Sequence, residues 1–346
     1  MLGNTGSIRW RRPRLTLLAV LLVTGLAAAR DKREEEAKPS SGHPVIWQDP
    51  GDIASRSLTY GSGGKDAQPQ PPFNFVKEDL KGSNPKLVVT DAAGVKWKVK
   101  LGNEVRPEVV AARLIWAVGY FTSDDYYVPR LQVANLPRHL HRGNQYIQSD
   151  GSITVARLKR YPEGTKKTGD WDWRKNPFTG TRELNGLRVM MALVNNWDLK
   201  NVNNVILKAG LHSAEPGSMI YLVSDLGASF ATNGFSWTKT ESKGNLTSFY
   251  QSQFIKNATA DYVDFGTPGR PALDHIVAIH SFASRINMEW IGSHVPRADA
   301  KWIGNLLAQL SQDQIVDAFL AAGYDNGEAL AFARMLERRI AQLKEL

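Results

Sequence analysis

Asn195-Asn196-Trp197-Asp198-Leu199-Lys200-Asn201-Val202-Asn203-Asn204-Val205, followed by Tyr221-Leu222-Val223-Ser224-Asp225-Leu226-Gly227, decides the fold of this 346-residue chain. The first stretch sets an acid, a Lys two positions later and an amide five positions later on one short loop. The second ends an apolar run with Asp-Leu-Gly. Upstream, Leu184, Leu187, Met190, Met191 and Val194 fall at helical spacing, so a core helix from about Thr181 to Asn195 delivers Asp198. Val205-Ile206-Leu207 and Met219-Ile220-Tyr221-Leu222-Val223 read as two short strands joined by a turn containing Gly and Pro, which brings Asn203 close to Asp225.

These residue types suit phosphoryl transfer. A nucleoside triphosphate carries several negative charges that Mg²⁺ and a Lys neutralise, while a carboxylate orients the attacking hydroxyl. Mg²⁺ prefers oxygen ligands and keeps several waters, so the amide oxygen of Asn203 and the carboxylate of Asp225 suffice as metal ligands. Asp198 is then free to act as the base.

The run Asp198-Leu199-Lys200-Asn201-Val202-Asn203 resembles the D-L-K-x-x-N catalytic loop of the protein-kinase-like superfamily, and Asp225-Leu226-Gly227 resembles its D-F-G triplet. The Asn-Trp lead-in, in place of His-Arg, is similar to the atypical branch of lipid kinases, bacterial toxin-type kinases and secreted kinases. The resemblance implies an α+β, two-lobed fold with a small antiparallel-sheet lobe and a larger, mainly helical lobe. It also implies Mg²⁺ and ATP as cofactors, Asp198 and Lys200 as catalytic residues, and Asn203 and Asp225 at the metal.

A small lobe is legible upstream. Phe73-Asn74-Phe75-Val76, Lys86-Leu87-Val88-Val89 and Val95 to Leu101 read as an antiparallel meander. In the last strand Val95, Trp97, Val99 and Leu101 face one side, and Lys96, Lys98 and Lys100 the other. Val99-Lys100-Leu101 resembles the kinase strand that puts a Lys on the phosphates, which nominates Lys100, with Lys98 as its neighbour. Taken alone, three lysines also fit the wet face of an edge strand. Arg106 to Gly119 reads as a helix, with Pro107 near its start and Gly119 at its end. Glu108 is the implied partner of Lys100, with Glu104 as substitute; by itself Glu108 is also simply an acid favourable to the helix dipole. Because no G-x-G-x-x-G precedes the third strand, the turn Gly82-Ser83-Asn84 is left to cover the phosphates, Gly82 supplying backbone freedom and Ser83 a hydroxyl.

The chain carries 43 Lys+Arg against 34 Asp+Glu, a net charge of +9. Arg9, Arg11, Arg12 and Arg14 precede the uncharged run Leu15 to Ala29, which finishes in Ala27-Ala28-Ala29, so residues 1–29 read as a signal peptide. The run is shorter than the roughly 20 residues of a membrane span; an uncleaved N-terminal anchor is the alternative. The expectation is an exported protein, periplasmic or extracellular, with no transmembrane span in the mature chain. Removing those four arginines leaves +5 (9 minus 4). That is a mild surface bias, not the concentrated basic stripe nucleic acid needs, so nucleic acid is not expected as a partner. With no Cys there is no disulfide, thiolate metal site or Cys nucleophile.

Residues 30–72 are rich in charge, Pro, Gly and Ser and read as a disordered or surface-draped arm. Residues 73–135 then form the small lobe and 136–346 the large one. Toward the end, Ser311-Gln312-Asp313-Gln314 is a capping box, and the charged stretch Glu337 to Glu345 reads as a solvated helical face.

Three functions compete. The first is an exported kinase-like phosphotransferase using Mg-ATP on an unidentified acceptor. A pseudokinase-like binding module without turnover is motivated by the missing Gly-rich loop and the Asn-Trp lead-in. A metal-dependent hydrolase would draw on His139, His141, His275 or His280 with Asp274.

Overall fold

The computed structural model of the chain describes residues 42–82, 84–196, 198–210, 216–231, 243–266 and 289–346. The expected signal peptide, residues 1–29, and the start of the expected arm fall outside the described residues. Gly42–Leu346 form one compact unit.

After a short strand β1 (Pro44–Val45), the meander follows as β2 (Phe73–Glu78), β3 (Lys86–Thr90) and β4 (Lys96–Leu101), paired antiparallel. Helix α1 (Val105–Ala117) comes next, then β5 (Asp124–Leu131), β6 (Val133–Ala134) and β7 (Ile153–Arg160). The sheet order is β5-β7-β4-β3-β2-β6. Only Gln132 separates β5 from β6, yet they stand at opposite edges, so the sheet curls back on itself.

Successive side chains on a strand alternate between faces. One face of the curled sheet therefore buries Leu87, Val89, Trp97, Val99, Tyr126 and Leu158 as an apolar core. On the other face the register sets Lys100 opposite Arg157, and Asp125 opposite Lys159. The small lobe thus does not end at residue 135, because β7 lies between β4 and β5 and carries the sheet on to Arg160. Ala156-Arg157-Leu158-Lys159 is buried on both faces, by apolar packing on one side and ion pairing on the other, so its charges disguise a central strand.

Beyond the sheet lie β8 (Thr165–Gly169), α2 (Arg182–Leu193), β9 (Asn204–Ala209) and β10 (Met219–Val223). A second sheet has the order β1-β10-β9-β8. The remainder comprises α3 (Leu246–Gln251), a small sheet of β11 (Ile255–Ala258), β12 (Tyr262–Phe265) and β13 (Val295–Pro296), then α4 (Arg297–Leu307), α5 (Gln312–Leu320) and α6 (Asn326–Lys344). The capping box at Ser311 and Gln314 is formed. Val109 and Leu114 of α1, Leu187 and Met190 of α2, and Phe319 and Phe332 of the last helices share one core, so the methionines are packing residues as expected. Among the described residues no helix is long and apolar enough to cross a membrane.

From Gly42 the supposed arm is part of the body. Ile46, Ile53 and Leu58 are buried, each contributing about 1.5–3 kcal/mol by leaving water. Three widely spaced apolar anchors help to hold a segment whose composition is otherwise that of a linker.

Candidate active site

The loop carrying Asp198 begins where α2 ends. Asn195 takes a positive φ of 50°, a conformation Asn tolerates better than most residues, and this turns the chain out of the helix. A helix end leaves carbonyls open. Arg339 of α6 fills them, its Nη1 donating to the carbonyls of Leu193 at 2.9 Å and Ala192 at 3.3 Å and to Asn195 Oδ1 at 3.3 Å. Its guanidinium lies 4.0 Å from the Phe249 ring centroid and is buried, so the solvated face expected over Glu337 to Glu345 is interrupted there. Burial lowers the Arg339 pKa to about 9, which leaves it charged at neutral pH.

Further along the loop, Asn203 Nδ2 donates to the main-chain carbonyl of Asp198 at 2.6 Å. Lys200 Nζ lies 2.8 Å from Asp198 Oδ1. Pairing of β9 with β10 sets Asn204 opposite Val223, and Ser224 N donates to Asn203 O at 2.7 Å. Asn203 and Asp225 therefore flank the same end of one strand pair. Trp197 lies outside the described residues.

Lys100 meets acids from two directions. Its Nζ contacts Glu104 at the start of α1, Glu108 Oε2 at 2.9 Å and Asp225 Oδ1 at 3.0 Å. An ammonium has three N–H donors, and here each has a carboxylate. Lys100 is 2% exposed and Glu108 1%, whereas the Asp225 side chain is 40% exposed. Burial opposes the Lys100 charge, but Asp225, Glu108 and Glu104 outweigh it and hold its pKa well above the usual lysine value. Burial likewise opposes the Asp225 charge, and Lys100, with Lys159 and Arg157 behind it, holds that pKa well below the carboxylate range. Lys98 is exposed, 5.5 Å from the Tyr161 ring centroid, so the structure separates the two lysines that strand alternation leaves equivalent.

Further charges surround this centre. Arg157 pairs with Glu108 and stands 3.7 Å from Asp125. Lys159 bonds the carbonyl and hydroxyl of Ser224 and lies 3.5 Å from Glu108. Lys243 pairs with Glu104. The cations Lys100, Arg157, Lys159 and Lys243 thus answer Glu104, Glu108, Asp125 and Asp225, which makes so many buried charges tolerable. Of these, Arg157, Lys159, Asp125 and Lys243 escape the sequence reading. The available signal is the alternation of Arg157 and Lys159 with Ala156 and Leu158.

The Gly of the Asp-Leu-Gly triplet has a steric reason. A Cβ on Gly227 would meet the Glu104 Cβ at 2.6 Å, so only Gly lets the chain after Asp225 pass the start of α1. The β2–β3 turn reaches the same point, with Asn84 Nδ2 donating to Glu104 Oε2. Gly82 has φ +72 and its carbonyl accepts from Arg142; Ser83 lies outside the described residues.

The donor set fits a hard cation such as Mg²⁺. Because the Asn203 nitrogen donates to Asp198 O, its amide oxygen is the end that would be left for a metal; the ionised, partly exposed Asp225 follows the same end of the β9–β10 pair. One amide and one carboxylate oxygen suit an ion that retains several waters. Elsewhere His141 Nδ1 lies 3.2 Å from Glu78 on the surface. Among the described residues no three His, Cys, Asp or Glu groups come together as a metal site. Asp274, His275 and His280 lie outside them.

No protein-family model matches the chain, and no curated protein matches it. Among solved structures it is similar to a proinflammatory kinase of Helicobacter pylori, CtkA, at 11% identity and a TM-score of 0.41, over 79% of this chain and 96% of that one. It is also similar to the golgi casein kinase at 10% identity and a TM-score of 0.35, over 85% of this chain and 74% of that one. The chain itself has an α+β fold with features that the resemblance to the protein-kinase-like superfamily implies: the curled antiparallel sheet, the helix after its third strand, the Lys100–Glu108 pair, and the strand pair that ends at Asn203 and Asp225.

Proposed function

We propose that the chain is an exported, kinase-like phosphotransferase that uses Mg-ATP. The observation that carries the reading is the meeting of Lys100 with both Glu108 and Asp225, from a strand, a helix and a distant loop. Export rests on the Arg9 to Ala29 pattern alone. Bound Mg-ATP supplies the transferable phosphoryl group and, through the metal, part of the charge neutralisation.

This chain's residues do the rest. Asp225 and the Asn203 amide oxygen would hold the metal. Lys100, kept in place by Glu104 and Glu108, would give the N–H now on Asp225 to a phosphate oxygen. Asp198 takes the proton of the acceptor hydroxyl, and Lys200 beside it steadies the charge on the transferred group. The β2–β3 turn, with Gly82 and Asn84, would cover the phosphates.

A specific feature favours the second reading, a nucleotide- or partner-binding module without turnover. All three Lys100 donors are engaged by carboxylates, one from α1 and one from the residue that caps it. Purified residues 30–346 with Mg²⁺ and nucleotide separate the readings. Transfer or release of phosphate that is abolished in both Asp198→Ala and Asp225→Ala supports the enzyme, binding without turnover supports the module, and absence of binding sinks both.

A further inference from the structure

We propose that residues 44–64 are a built-in clamp that keeps Glu108 and Asp225 on Lys100, with Trp47 and Arg56 as its positioning residues. Only the consequence for turnover rests on the kinase-like reading. Glu108 comes from α1 and Asp225 follows β10, and the segment is bonded to the end of α1 and to the start of β10.

At one end β1 pairs in parallel with β10, Pro44 opposite Met219 and Val45 opposite Ile220. This is the strand that leads to Asp225. Immediately after it, Trp47 Nε1 donates to Val118 O at 2.7 Å, Gln48 N to Gly119 O at 3.0 Å, and Arg56 Nη1 to Trp116 O at 2.7 Å. Those carbonyls belong to the C-terminal end of α1, where a helix has acceptors to spare and a cation is favourable. Arg56 is held from behind by Pro50 O, at 3.1 Å from Nε and 2.8 Å from Nη2, and lies 4.7 Å from the Trp116 ring centroid.

The segment then runs along α1. A Cβ on Gly61 would meet the Arg113 side chain at 3.1 Å, so the backbone lies directly against the helix. Ser62 Oγ donates to Asp124 Oδ1 at 3.0 Å and Tyr126 donates to Gly64 O at 2.8 Å, which fastens the far end to β5. From α5, Gln314 Nε2 donates to the carbonyls of Ile53, Ala54 and Arg56.

Glu108 sits in the first turn of α1 and Trp116 in its last, about 12 Å apart at a rise of about 1.5 Å per residue. A rod held only near Glu108 can pivot and carry that acid off Lys100. Holding its other end with a segment hydrogen-bonded to the Asp225 strand removes the pivot. The ion-paired centre then stays assembled without an external activator.

The test uses the full chain, three loss variants and one rescue variant. Trp47→Phe keeps the ring and loses the N–H donor, Arg56→Met loses the guanidinium, and the third carries both. Hydrogen exchange of residues 105–117 and the rate of Lys100 labelling by an amine-reactive reagent are read beside exchange in α6. The double variant is expected to raise the first two at least tenfold and leave α6 unchanged, with Arg56→Lys in the Trp47→Phe background restoring part of the protection. Unchanged exchange in 105–117, or an equal rise in α6, overturns the clamp. If the wild type handles no nucleotide while the exchange result holds, the phosphotransferase reading fails and the clamp stands.

Discussion

The side-chain amide of Asn203 donates to the backbone carbonyl of Asp198 at 2.6 Å, tying the two ends of the candidate catalytic loop together. One residue thereby sets the loop's shape with its nitrogen and, under the phosphotransferase reading, offers its oxygen to a metal. Asn203→Asp separates the two roles, since it keeps a metal-binding oxygen but replaces the donor by a carboxylate facing a carbonyl. We expect Mg²⁺-dependent nucleotide affinity to fall by about 10- to 100-fold, the usual cost of disturbing a group that orients a metal site. Titration of nucleotide at several Mg²⁺ concentrations checks this; an Asp variant that binds as well as the wild type would show that the anchor is dispensable.

Replacing Lys100 by Met leaves Asp225, Glu104 and Glu108 without their shared cation. Breaking a buried ion pair from one side costs about 3–5 kcal/mol, and the lower figure is expected because Glu104 keeps Lys243 and Glu108 keeps Arg157. The loss depends on pH. Lys100 and its neighbours hold the pKa values of Asp225 and Glu104 below their unfolded values, so their stabilisation is present above about pH 4 and fades as pH falls through the folded values. Urea midpoints of wild type and Lys100→Met should therefore converge in acid; a gap that stays constant from pH 7 to 3 would contradict the electrostatic account.

Asp125 has the opposite sign. Burial, against the pull of Lys159 and Arg157 and with Glu108 and Asp124 pushing the same way, raises its pKa to about 6. The folded chain thus holds a proton that the unfolded chain releases from about pH 4 upward, and this group's contribution to stability declines between pH 4 and 6. Asp125→Asn is uncharged and nearly isosteric. Its melting temperature relative to wild type should rise across that interval and level off above pH 7, whereas a difference independent of pH would place the titration elsewhere.

Elements with one wet face and one dry face are legible in the sequence. Trp97, Val99 and Leu101 alternate with exposed Lys96 and Lys98, and Leu187, Met190 and Val194 recur at helical spacing, so β4 and α2 can be read directly. The same alternation puts Lys100 on the polar side but cannot bury it, because burial follows from α1 packing over that face. β7 is hidden because Arg157 and Lys159 look solvent-bound until their partners Glu108, Asp125 and Ser224 arrive from elsewhere in the chain. The segment from Pro44 to Gly64 is hidden for a related reason: most of its bonds are made by backbone or by Trp47 and Arg56 to helix carbonyls, which carry no residue-specific signature.

Arg339 is the other residue whose placement no local pattern announces. Besides the end of α2, it donates through Nη2 to Ser252 Oγ at 2.6 Å, and Asn195 Nδ2 reaches that hydroxyl at 2.6 Å and Ala231 O at 2.7 Å. The segment after Asp-Leu-Gly, the start of the Asp198 loop and the C-terminal helix are therefore joined through Asn195 and the Arg339 guanidinium that bonds it. Lys has a single nitrogen and cannot reproduce that fork. Arg339→Lys should keep the charge, leave several acceptors unmatched at about 1–3 kcal/mol each, and loosen the loop ahead of Asp198 more than the small-lobe sheet. Under the phosphotransferase reading, turnover falls at least tenfold while nucleotide affinity, set by Lys100 and Asp225, changes little. Equal losses in both quantities would instead assign Arg339 a purely global structural role.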